Sequence, residues 1–120
     1  MFSKQAIVVS TAAGNGTKTA IKDITNTLLY WGVPSVITYG ISVQAMNWDG
    51  VTDNKKQKIE KDTTKIANKV LKTKRVKAGF KTKALFMMMR MMQKKGWGSS
   101  EAEKMYWEQK GWLDKKRPWK

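Results

Sequence analysis

The chain has no cysteine and no histidine. Without cysteine there is neither a disulfide framework nor a thiolate nucleophile. Without histidine it lacks the side chain best suited to proton transfer near neutral pH, and the usual zinc ligands are gone with it. Acids are also scarce: nine Asp and Glu are scattered through 120 residues, and no pair is spaced for acid–base work. Chemistry in such a chain would have to be carried by a cofactor. No apolar run approaches the roughly 20 residues that cross a bilayer, and the mean hydropathy is −0.55. Residues 1–20 do not read as a secretory leader, because the apolar run 6–9 is short and a Gly/Thr loop follows it. A reducing, cytoplasmic setting is expected.

What the chain has in abundance is positive charge, unevenly placed. Residues 1–53 hold three lysines and three aspartates, which cancel. Residues 54–120 therefore carry the whole net charge of +15. An anionic partner would account for this: nucleic acid, a phosphate-bearing cofactor or an acidic membrane surface. So would a plain solvated basic face, since the lysines are dispersed along helices.

The stretch Gln5–Thr19 is the most informative. Ala6–Val9 is a short, continuous, β-branched run and reads as a buried parallel strand. Ser10, Thr11, Ala12, Ala13, Gly14, Asn15 and Gly16 read as a small-residue loop, and a helix follows, capped by Thr17 or Thr19. Such a loop gathers backbone N–H groups and the positive end of a helix around one point. It fits neither phosphate-loop pattern. Thr17 separates Gly16 from Lys18, which breaks the Gly-Lys-Ser/Thr succession, and Thr19 stands where a dinucleotide fingerprint requires its third glycine. A tight strand-to-helix turn is the plain alternative.

Ile21, Ile24, Leu28 and Leu29 give the helix an apolar stripe, Gly32 and Pro34 end it, and Ser35–Tyr39 reads as the next strand of a βαβ unit. Residues 40–53 read as loop, with a turn at Trp48-Asp49-Gly50. A lysine-rich helix is expected from Thr52 or Asp53 to about Lys74, its Ile59, Ile66 and Val70 packing on the sheet. The expected division is a half-domain over 1–75 and a basic helical extension over 76–120. In the extension, Lys81–Lys95 carries Leu85, Phe86 and the methionines of Met87–Met92, broken only by Arg90; it is apolar almost all round and needs cover on more than one side. Those methionines suit either core or interface packing, or a hydrophobic ligand. Ser99 or Ser100 with Glu103 forms a capping-box pattern for a last helix, Glu101–Lys110. Lysines beside Trp97, Trp107, Trp112 and Trp119 fit a basic aromatic surface, but no nucleic-acid motif accompanies them and nucleic acid is not expected. The Lys81–Lys95 helix also suits peripheral contact with an anionic membrane.

Ile7–Lys18, Leu28-Leu-Tyr-Trp-Gly-Val33 and Tyr39-Gly-Ile41, in that order, resemble the C-terminal half of flavodoxin-like NAD(P)H-dependent oxidoreductases, the NADPH-dependent FMN reductase group. The tail motifs Glu103–Trp107 and Lys110–Asp114 resemble that group's C-terminal extension. The resemblance implies an α/β fold with a five-stranded parallel sheet, of which this chain would hold the last βαβ unit. It implies FMN at the strands' carboxyl ends, with NAD(P)H as electron donor. Ser10–Gly16 would border the flavin ring through backbone amides and the Ser10 or Thr11 hydroxyls. No side chain is assigned an acid–base role. The family's phosphate-binding loop has no counterpart here, so a truncated or split form is expected, completed by a homo-oligomeric partner or by a missing N-terminal half. A basic, non-enzymatic module binding nucleic acid, anionic membrane or protein is the alternative.

Overall fold

A computed structural model describes all 120 residues. The element order is β1 (Gln5–Ala12), α1 (Thr17–Tyr30), β2 (Ser35–Ser42), α2 (Asp53–Lys72), α3 (Phe80–Lys95) and α4 (Glu101–Gln109). The fold is α/β, with one parallel sheet whose two strands and intervening helix α1 form the expected βαβ unit.

The strands pair in register from Gln5↔Ser35 to Ala12↔Ser42. This pairing carries both strands further than their apolar runs. Ser10, Thr11 and Ala12 were expected in the loop, and Gly40, Ile41 and Ser42 likewise. Each set finds its hydrogen-bonding partners in the other, so the ladder overrides weak local strand propensity. Side-chain bonds clamp both ends of the pair: Gln5 Nε2 donates to Ser35 Oγ at 3.2 Å, and Ser42 Oγ donates to the Ala13 carbonyl at 3.3 Å.

Alternation gives the sheet two faces. Val8 and Gly40 look toward α1, and Val8 is buried. Helix α1 crosses close there: a Cβ on Gly40 would lie 2.9 Å from Ile21 Cδ1 and 3.1 Å from Thr17 Oγ1. The other face carries Ile7, Val9, Ile37, Tyr39 and Ile41. On it Ile37 and Ile41 are buried, whereas Ile7 and Val9 are exposed. Helix α2 lies over this face without closing on it. Its stripe of Ile59, Ile66 and Val70 is only half-buried, and none of its residues is buried, so the expected close packing on the sheet becomes an open groove.

The C-terminal helices build a separate apolar cluster. Phe86, Trp107 and Leu113 are buried at its centre. Phe86 stacks on Trp107 with ring centroids 5.1 Å apart. The Arg90 guanidinium donates to the Leu113 carbonyl at 2.9 and 3.2 Å and fastens the tail to α3. Ser100, not Ser99, closes the capping box of α4, its hydroxyl accepting from the Glu103 N–H at 3.3 Å. Helix α3 is covered on one side only. Phe86, Thr82 and Gln93 are buried, while Met87, Met88, Met91 and Met92 are exposed.

Phe2 joins the two clusters. Its ring meets Phe86, Trp112 and Trp119 edge-on at 5.8, 6.1 and 5.9 Å. On its other side it fills the space above Gly32, where an added Cβ would sit 2.6 Å from Phe2 Cε1. Gly32 also holds φ +80°, a left-handed conformation that a side chain would strain.

Phe2→Ala is expected to lower unfolding free energy by about 2–3 kcal/mol, below the range for a fully buried Phe because the ring is only half-buried. Gly32→Ala is expected to cost about 1–3 kcal/mol through strain and overlap. Urea denaturation followed by circular dichroism checks both, and a Phe2→Ala midpoint equal to that of the parent chain would contradict this assignment.

Candidate functional site

The site sits at the carboxyl end of the sheet, where β1 passes into α1. Its loop proper is only Ala13–Gly16, since Ser10–Ala12 belong to the strand. All four loop residues are exposed. A Cβ on Gly14 or Gly16 would meet nothing within 4 Å, so the backbone here faces open space. Gly16 takes φ +112° and is itself the N-cap of α1. Neither threonine caps the helix: no side chain accepts from the first turn, and Thr17 packs instead against Gly40.

An uncapped N-terminus leaves its first N–H groups free for an outside acceptor. The first turn holds no acid, and Lys18 is one of its residues. A cation at this end opposes the helix dipole. Lysine and dipole therefore add to one positive potential, which a negatively charged or strongly accepting group would relieve.

The seven candidate residues do not converge on one surface. Thr11, Ala12 and Ala13 line the groove between the sheet and α2, together with Ile7, Val9, Tyr39 and Ile41. Ser10, adjacent to Thr11 along the strand, points to the opposite face, toward α1. Gly14, Asn15 and Gly16 frame the end of α1. The groove encloses about 710 Å³ and is mostly apolar, with Trp48 and Val51 on its far side. The Lys56 ammonium lies 5.4 Å from the Trp48 ring centroid.

Tyr39 is the groove residue that the sequence reading left without a role, although its alternation with Ile37 and Ile41 places it on this face. Its hydroxyl oxygen is shielded from water and has no hydrogen-bond partner, while the ring around it is half-buried. Desolvation first, and the Asp62 carboxylate second, push the phenol above its ordinary value of 10.0. Asp62 is itself held by Lys58, one turn earlier on α2. Their hydrogen bond raises the lysine and lowers the carboxyl. No group of three acidic side chains is placed to hold a metal ion. A second cavity, of about 650 Å³, lies at the C-terminal end of α1, against Phe2 and the aromatic cluster.

Tyr39→Phe removes an unpartnered polar atom and is expected to leave stability equal or raise it by about 1 kcal/mol. In the parent chain the native phenol keeps its proton over a range where the unfolded chain has lost it. The Tyr39 contribution is therefore complete below pH 10.0 and declines as pH rises through the higher native value. The stability difference between parent and Tyr39→Phe, measured by denaturation from pH 8 to about 11, is expected to shift in favour of the variant above pH 10.0. A difference independent of pH would contradict the shielded hydroxyl.

Compared with protein-family models, with curated proteins and with solved structures, the chain matches none.

Proposed function

We propose that this chain supplies the ring-side loop of an FMN-dependent NAD(P)H oxidoreductase of the flavodoxin-like class. The observation that carries the reading is the exposed backbone of Ala13–Gly16. It stands at the carboxyl ends of two parallel strands and opens an uncapped helix that bears Lys18. Ligands of parallel α/β sheets bind at that end.

The residues fit the polar edge of an isoalloxazine ring. Gly14 and Gly16 project nothing into the approach, so a flat ring can come within hydrogen-bonding distance of the backbone. The free N–H groups of the loop and of the first turn of α1 are donors for the ring's carbonyl oxygens. The helix end and Lys18 favour the negative charge of a reduced ring. Thr11, Ala12 and Ala13, on the groove side, offer small contacts to a ring edge lying along the sheet. FMN, when bound, would provide the hydride chemistry between NAD(P)H and a second acceptor. The chain's residues orient the ring and tune its charge, and none is proposed to move a proton.

A further polypeptide belongs to this reading. Each strand has one free hydrogen-bonding edge, and neither strand bears a charge to blunt it. A partner that extends the sheet, whether a second copy or another segment, would cover Ile7 and Val9 and hold the phosphate end of FMN.

Fluorescence titration tests the ring-side assignment. FMN and riboflavin are expected to be quenched by the full chain with affinities within about fivefold of each other, because the loop addresses the ring and a surface charge pair is worth at most about 1 kcal/mol. Gly14→Val is expected to weaken both by about tenfold through steric exclusion. Quenching by FMN alone would make this a phosphate site, and no quenching of either flavin would remove the proposal.

A further inference from the structure

We infer that the outer face of α3 docks on an anionic lipid surface. This does not depend on the flavin reading and concerns the opposite cluster of the molecule. Phe80, Ala84, Met87, Met88 and Met91 recur at the three- and four-residue spacing of one helix face. That face points away from buried Thr82, Phe86 and Gln93. Phe80 is 86% exposed and Met91 50% exposed, values unusual for large apolar side chains gathered in a row.

Charge tells what covers this stripe. Lys83 and Lys94 border it on one side and Lys81 on the other, Lys95 lies in line with it at its C-terminal end, and all four are exposed. The helix contains no acid. Just past its end, Trp97 is 57% exposed and the Lys95 ammonium lies 4.5 Å from its ring centroid. An apolar stripe edged by lysines on both sides and finished by an aromatic ring is the pattern of a helix lying in a headgroup layer. The methionines enter the acyl boundary, the lysine stems lie along it, and the ammonium groups reach the anionic phosphates. The stripe runs along a helix about 24 Å long, so its side chains can meet a flat layer together. A second copy fits poorly, because pairing two stripes would bring eight like charges together around one seam.

Vesicle flotation with the full chain tests the inference. Binding is expected to vesicles of phosphatidylglycerol and phosphatidylcholine in equal parts, and not to phosphatidylcholine alone. It is expected to weaken but persist at about 0.15 M salt, because exposed charges are screened there while apolar insertion is not. The variant Phe80→Ser/Met87→Ser/Met91→Ser changes only exposed residues. It is expected to lower partitioning by at least about tenfold with an unchanged circular dichroism spectrum. A second variant, Lys83→Gln/Lys94→Gln, keeps the stripe and is expected to lose binding selectively at low anionic-lipid content. Three outcomes would overturn the inference: flotation unaffected by the triple substitution, equal binding to neutral vesicles, or no flotation at all. Concentration-dependent dimerisation in sedimentation velocity that the triple variant abolishes would assign the stripe to a second copy instead, and would overturn it too.

Discussion

The Phe2 ring is the contact on which the arrangement of this chain depends. A two-stranded parallel sheet with one helix on it is a poor core, and the buried set is correspondingly small: 12 of 120 residues. The C-terminal aromatic cluster is a second small core. Phe2 belongs to both, wedged between Gly32 at the end of α1 and the rings of Phe86, Trp112 and Trp119. Each edge-to-face contact adds about 0.5–1.5 kcal/mol beyond area burial. Gly32 matters because it alone leaves room for the ring while turning the chain toward β2.

Around this joint the apolar surface is only half spent on folding. Ile7 and Val9 remain exposed on the sheet, and a row of methionines remains exposed on α3. The sheet's open face and edges are uncharged, whereas the open face of α3 is lined with lysines. That contrast separates two kinds of partner. An uncharged strand edge suits another strand, and a lysine-bordered stripe suits an anionic surface. In the proposed reading the first completes a flavin site and the second tethers the molecule.

Much of the fold was legible in the sequence, and the errors share a cause. The β-branched runs Ala6–Val9 and Ser35–Tyr39 located both strands, Gly32 and Pro34 marked the end of α1, and Ser99 or Ser100 with Glu103 marked the start of α4. The strand ends were misread because Thr11 and Ile41 are single strand formers flanked by Ser10, Ala12, Gly40 and Ser42, which are not. They are strand because each pairs with the other, a non-local fact. The same extension shortened the candidate loop to Ala13–Gly16 and split its members between two faces. The role of Phe2 was invisible for a like reason: its partners lie some 30 to 117 residues away along the chain. Helix α3 looked apolar all round, yet only its Phe86 side is covered, because no second layer of this chain reaches its methionines.

In the proposed reading, the backbone amides of the β1–α1 turn face a flavin ring. Amide chemical shifts of the ¹⁵N-labelled chain, followed during addition of FMN, test it most directly. The expected result is saturable movement of the Ala13–Thr19 amides together with those of Thr11 and Ala12, and no change in the Trp107 and Trp112 signals. Shifts confined to the aromatic cluster, or none at the turn, would contradict it.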